Sequence, residues 1–179
     1  ITSRGCPFKC TFCSSKTLNP TDKKTVRFRS AENVVGEIEM LVRKHGVREL
    51  FFSDDMFTGN TKHLDGICEG LLERDLDVIW VCMTHVNAIN KEKLKLMKRA
   101  GCHQVCFGIE SGDPEIQRII QKKATSSNLI PPPSPNPQPC SCLELALLDL
   151  EHSAGRGSEK DPSIRRHEKL PSSNTMSIA

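Results

Sequence analysis

Cys6-Pro7-Phe8-Lys9-Cys10-Thr11-Phe12-Cys13 sets three thiols at intervals of three and then two intervening residues. That spacing lets them converge on one metal centre. Thiolates favour zinc or iron-sulfur sites, but a closed structural zinc site needs four ligands. The next Cys or His after Cys13 is His45, far outside such a motif. A four-iron cluster with three protein ligands instead keeps one iron open, as catalysis requires.

Outward from this loop, the chain reads as alternating helices and strands. Val34, Val35, Ile38, Leu41 and Val42 make a helical stripe over residues 31–45, which Ser30 can cap and Gly46 can end. Glu49-Leu50-Phe51-Phe52-Ser53 reads as a short buried strand. Leu64, Ile67, Cys68, Leu71 and Leu72 form a second stripe after the turn signal Gly59-Asn60, and Val78-Ile79-Trp80-Val81-Cys82 a second strand. Asn90 can cap a helix to about Ala100, Val105-Cys106-Phe107-Gly108-Ile109 reads as a third strand, and Asp113-Pro114 opens a further helix. Short strands apolar on both faces, with amphipathic helices between them, argue for a parallel sheet of right-handed βαβ units.

From Thr125 the character changes. Ile130-Pro131-Pro132-Pro133-Ser134-Pro135-Asn136-Pro137 cannot form helix or sheet interior. A domain over residues 1–125 and a Pro/Ser-rich disordered tail over 126–179 are expected, with a short helix near Leu143–Leu150. The start at Ile1, close before the cysteine loop, and the abrupt junction at Thr125 read as a fragment whose tail is foreign to the domain.

Composition narrows the class. The chain has 179 residues, enough for one domain with a core, and its formal net charge of +3 comes from interspersed signs. No single-sign field marks a nucleic-acid or membrane partner, and no apolar run reaches the length that spans a bilayer. Nine cysteines are an odd number, and Cys68, Cys82, Cys102 and Cys106 follow the apolar pattern rather than loops. Reduced thiols in a cytoplasmic protein are expected.

The cysteine spacing, Phe12 before the third Cys and the preceding Thr2-Ser3-Arg4-Gly5 resemble the signature of the radical S-adenosylmethionine (radical SAM) superfamily. The resemblance implies a partial (β/α)6 TIM-like barrel, truncated after about four strands, the first represented by its end. It implies a [4Fe-4S] cluster on Cys6, Cys10 and Cys13, with S-adenosyl-L-methionine on the open iron. Reductive cleavage would give a 5′-deoxyadenosyl radical for methylation, cyclisation or sulfur insertion on an unknown substrate, fed by an electron donor such as flavodoxin or ferredoxin.

Phe52-Ser53-Asp54-Asp55-Met56-Phe57 resembles a segment of the subgroup whose chains often begin with a cobalamin-binding domain, so cobalamin is implied through a domain outside this chain. By the same resemblance Asp54 and Asp55 approach the cofactor's ammonium, and Glu110 and Ser111 in Phe107-Gly108-Ile109-Glu110-Ser111-Gly112 contact the cofactor. His85 and Asn87 stand where relatives often carry Arg and then Asp. Two rival readings remain: a truncated noncatalytic cluster-binding product, and a small zinc-binding interaction module.

Overall fold

A computed structural model of the chain describes residues 1–15 and 26–122 in full and residues 142–146 by their backbone. The expected tail over 126–179 otherwise lies outside the described residues.

The helices begin and end where local chemistry directs. Ser30 caps α1 (Ala31–His45) by accepting from the Asn33 N–H, and Gly46, at φ 66°, closes it with its own N–H on the Leu41 and Val42 carbonyls. Asn60 caps α2 (Thr61–Glu73) and Asn90 caps α3 (Lys91–Arg99), each accepting from the third residue of its helix. Val34, Val35 and Ile38 of α1 and Leu64, Ile67, Cys68 and Leu71 of α2 are buried, the faces that the stripes marked.

These helices cover one face of a parallel sheet made of β3 (Glu49–Phe52), β4 (Ile79–Thr84) and β5 (Cys102–Gly108). Leu50 pairs with Trp80 and Phe52 with Cys82, which pairs in turn with Val105. Trp80 is fully buried, donates from Nε1 to the Ala100 carbonyl at 2.8 Å and meets Phe52 edge-on. Gly101, at φ 93°, turns α3 into β5 so closely that a Cβ would stand 2.1 Å from the Val78 carbonyl oxygen. The chain thus has the α/β parallel architecture of a partial TIM-like barrel.

Four expectations change. β4 runs two residues past Cys82 and β5 starts at Cys102, because Met83 and Thr84 still pair with Cys106 and Phe107, and Trp80 already pairs with Cys102 ahead of a register irregularity between Trp80 and Val81. The strands are apolar on both faces but buried on one: Phe51 and Met83, on the face away from the helices, are 45% and 38% exposed. Residues 142–146 form β6 (Cys142–Ala146), antiparallel on β5, instead of the expected helix. The alternation in Cys-Leu-Glu-Leu-Ala suits a pleat better than a helical face. Finally, β1 (Ser3–Arg4) pairs antiparallel with β2 (Arg27–Phe28), not with the parallel sheet.

What joins β1 to the sheet is a carboxylate. Asp54, just past β3 and wholly buried, accepts from the Thr2 N–H at 2.9 Å, the Thr2 hydroxyl at 3.1 Å, the Ser3 hydroxyl at 2.7 Å and the Ser3 N–H. Since the Thr2 hydroxyl spends its proton on Asp54, His63 of α2 must donate from Nε2 to Thr2 Oγ1, 3.1 Å away. Burial lowers the His63 pKa, against the opposing pull of Asp54.

Asp54→Ala orphans several buried donors, each costing about 1–3 kcal/mol, so its urea midpoint, followed by Trp80 fluorescence, falls steeply. Asp55→Ala, which removes one part-buried hydrogen bond from an exposed carboxylate, costs about 0.5–1.5 kcal/mol, well short of Asp54→Ala. The depressed His63 pKa means that the unfolded chain takes up its proton first. Stability is therefore full above the unfolded pKa near 6.5 and is lost as pH falls from there through the folded pKa. His63→Gln flattens that acid limb in denaturation midpoints measured across it.

Candidate functional site

The Cys6–Cys13 loop follows β1 and lies across the C-terminal ends of the parallel strands, where open α/β sheets place their ligands. Its root is held by Asp55, beyond β3, which accepts the Gly5 N–H at 3.1 Å. Its middle is met by His85, beyond β4, whose ring stacks on Phe8 with centroids 3.8 Å apart and planes 8° from parallel. Its far end is held by the Thr11 N–H donating to the Ile120 carbonyl at 2.9 Å, after α4 (Pro114–Ile119).

Of the three thiols, Cys10 is buried, Cys6 half-buried and Cys13 exposed. Burial pushes the Cys6 thiol up from its ordinary 9.0; the Phe8 backbone N–H opposes this, and nearby Cys10, Cys13 and Asp55 add to it. Cys13 Sγ accepts the Ser15 N–H at 3.4 Å, a bond of the kind that tunes iron-bound thiolates. Among the described residues no three His, Cys, Asp or Glu side chains close on a point that could hold a single ion. Thiolates on separate irons of a cluster must surround a body instead of meeting at a point. The donor set, three thiols on one loop with a backbone N–H on one sulfur, fits a thiolate-held cluster.

The four predicted carboxylate and hydroxyl residues fare unequally. Asp54 is consumed by Thr2 and Ser3 and has no accessible surface, so the expected pair of open carboxylates reduces to Asp55. Asp55 is exposed and shares an oxygen between Gly5 and Ser15. Glu110, at φ 69°, accepts from Lys122 Nζ at 3.2 Å. This pair crosses Gly108, where a Cβ would stand 2.9 Å from that Nζ. Ser111 belongs to the turn before α4: its hydroxyl accepts the Asp113 N–H at 3.1 Å and its carbonyl accepts from Gln117 Nε2.

Two further residues enter the site: His85, which stands where the resemblance expects Arg, and Lys122. His85 is buried, with Nδ1 accepting the Asn87 N–H at 3.2 Å and Nε2 donating to the Lys122 carbonyl at 3.0 Å. Burial lowers its pKa; the hydrogen bond to Lys122 opposes that shift and the Lys122 charge adds to it. Lys122 also sets its ammonium 5.6 Å from the Phe12 ring centre. No sequence signal identifies Lys122, whose partners are distant along the chain. Beside the loop opens a cavity of about 730 Å³, lined by Pro7, Phe8, Met56, Thr58, Asn87 and Lys93 among others.

Cys68, Cys82 and Cys102 are core groups, as expected, whereas Cys106 is half-buried. Burial drives the Cys68 thiol up to about 12, and hydrogen bonding to Cys102, with burial, raises Cys82.

The family model described as the radical SAM superfamily matches residues 1–130. An uncharacterized methyltransferase of Pyrococcus horikoshii is 41% identical over 130 residues, covering 73% of this chain and 28% of that protein. The anaerobic magnesium-protoporphyrin IX monomethyl ester cyclase of Rubrivivax gelatinosus is 34% identical over 125 residues, covering 69% and 22%. The chain thus spans about a quarter of the length of these relatives. Among solved structures, the cobalamin-dependent S-adenosylmethionine radical enzyme OxsB superposes with a TM-score of 0.57 at 26% identity, over 69% of this chain and 20% of that one. The radical S-adenosylmethionine methyltransferase TsrM of Kitasatospora setae, at 22% identity and a TM-score of 0.58 over 71% and 24%, shares the fold.

Because the thiolate is the reactive form, alkylation should sort these thiols. In native protein at pH 8, iodoacetamide labels exposed Cys13 well ahead of Cys6, and Cys68 and Cys82 only after denaturation. Peptide mass mapping over time checks the order.

Proposed function

The chain belongs to the radical SAM superfamily, and from that premise we propose that Cys6, Cys10 and Cys13 hold a [4Fe-4S] cluster that also binds S-adenosyl-L-methionine. The observation that carries this reading is the loop itself: three free thiols laid across the strand ends. Once bound, the cluster would supply reductive cleavage of the cofactor's sulfonium, its electron coming from a donor such as flavodoxin or ferredoxin.

The chain's own residues hold and orient. Asp55 ties the root of the loop to the end of β3 and presents an exposed carboxylate suited to the cofactor's ammonium. Glu110 offers a second carboxylate at the end of β5, steadied by Lys122. Asp54 acts as a positioning residue, and Ser111 contributes through the turn that aims Glu110. Phe8 and His85 cover one side of the loop and limit water there.

The reaction is proposed as radical-based methylation or cyclisation, in line with the names of the relatives, and sulfur insertion receives no support from them. Cobalamin would be held by a domain outside this chain, as the cobalamin-dependent enzyme of similar fold suggests. No helix among the described residues is long and apolar enough to cross a membrane.

One observation favours a second reading, a chain that holds a cluster without completing a catalytic barrel. β6 pairs antiparallel on the edge of β5, where the next parallel strand of a barrel would have to add.

Anaerobic reconstitution with iron and sulfide separates these readings. The parent chain takes up about four irons and four sulfides, and replacing Cys6, Cys10 or Cys13 by Ala abolishes uptake. Zinc without sulfide rejects the cluster. An electron paramagnetic resonance spectrum that shifts on adding S-adenosylmethionine supports the enzyme, and one that ignores it supports the noncatalytic product.

A further inference from the structure

Phe8 lies between Cys6 and Cys10, and Phe12 between Cys10 and Cys13, so the two rings flank the central thiol along the chain. The loop is largely at the surface: Lys9, Thr11, Phe12 and Cys13 are exposed. Between the Gly5 anchor and the Thr11 anchor, it reaches the body of the protein through the Phe8 ring on His85.

His85 suits the task of a fixed platform. Both ring nitrogens are committed, Nδ1 to the Asn87 N–H and Nε2 to the Lys122 carbonyl, so the ring cannot turn without breaking two bonds. Burial of the ring makes either loss expensive. The residue that receives the Nε2 proton also places its own ammonium on Phe12. Lys122 therefore reaches both aromatic residues of the loop, Phe12 directly and Phe8 through His85. The three thiols are spaced along a segment whose two rings rest on one connected support.

We propose that His85 is a positioning residue for the cysteine loop: oriented by Asn87 and Lys122, it seats Phe8 and so fixes the Cys6–Cys10 arm and shields that edge of the cluster from water. The proposal rests on the reading of Cys6, Cys10 and Cys13 as cluster ligands and adds a role that cysteine spacing does not imply. Outer groups that hold metal ligands commonly govern affinity by 10–100-fold, and cluster properties respond to solvent exposure.

The test uses the full 179-residue chain, reconstituted anaerobically with iron and sulfide. Four variants are compared with the parent: His85→Ala; His85→Phe, which keeps a ring to stack but no ring nitrogens; His85→Gln, which keeps a hydrogen-bonding group but no ring; and Phe8→Ala. Iron loss to a chelator, the electron paramagnetic resonance spectrum of the reduced cluster and, in iron-free protein, the alkylation rate of Cys10 are followed.

His85→Ala, His85→Gln and Phe8→Ala should each lose iron about tenfold faster, show an altered spectrum and alkylate Cys10 faster. His85→Phe, which keeps a ring to stack but not the two bonds that orient it, should fall between the parent and His85→Ala, and His85→Ala with Phe8→Ala should be no worse than either alone. Phe8→Ala keeps the inference testable if His85→Ala fails to fold, because it removes the other half of the stack from a surface loop. A parent that loads iron and sulfide, with Phe8→Ala and His85→Gln indistinguishable from it, overturns this inference and leaves the cluster reading standing. A parent that takes up no iron and sulfide overturns the cluster reading, and this inference with it.

Discussion

The Asp54 carboxylate, sealed from solvent and surrounded by the N–H groups and hydroxyls of Thr2 and Ser3, is the interaction on which the arrangement of the site depends. An isolated buried carboxylate is unfavourable by far more than one hydrogen bond can offset. Here converging donors replace its water. Through them β1, which pairs with β2 outside the parallel sheet, is nevertheless bound to the end of β3. The His63–Thr2 hydrogen bond extends the same link to α2. The cysteine loop leaves β1 immediately afterwards, so its place at the strand ends is inherited from this carboxylate.

From that root the loop crosses three strand ends and gains a contact beyond each. Asp55 follows β3, His85 follows β4, and Ile120 and Lys122 follow β5 through α4. Parallel strands make this economy available, because all their C-terminal ends open on one side. The same residue type behaves in opposite ways within the resulting structure. Burial disfavours the thiolate of Cys68, and the hydrogen bond with Cys102, together with burial, does so for Cys82, so both pack as small hydrophobes. Cys13 lies in solvent with the Ser15 N–H directed at its sulfur.

The helices were legible because their signals are local. Ser30, Asn60 and Asn90 cap through N–H groups three residues ahead, and the Val34-Val35-Ile38 and Leu64-Ile67-Leu71 stripes repeat at helical spacing. Strand ends were less legible. The ladder, and not the apolar run, decides how far Met83 and Thr84 continue β4 or how early Cys102 begins β5. The open face bearing Phe51 and Met83 was missed for a related reason: apolar residues on both sides of a strand state what could be covered, not whether a cover is there. β6 depended on an available edge of β5, which pattern in residues 142–146 alone could not supply.

Sequence by itself carried three thiols at ligand spacing, the acidic pair after β3 and the alternation of helix and strand, because each of these signals is local along the chain. Tertiary structure decided which of those groups are free to act. It consumed Asp54 and left Asp55 exposed, set Ser111 to a turn, and brought His85 to Phe8 and Lys122 to Phe12. Those contacts join segments far apart in the chain, so they arise from how the strand ends are stacked side by side. No local period of polarity records that stacking.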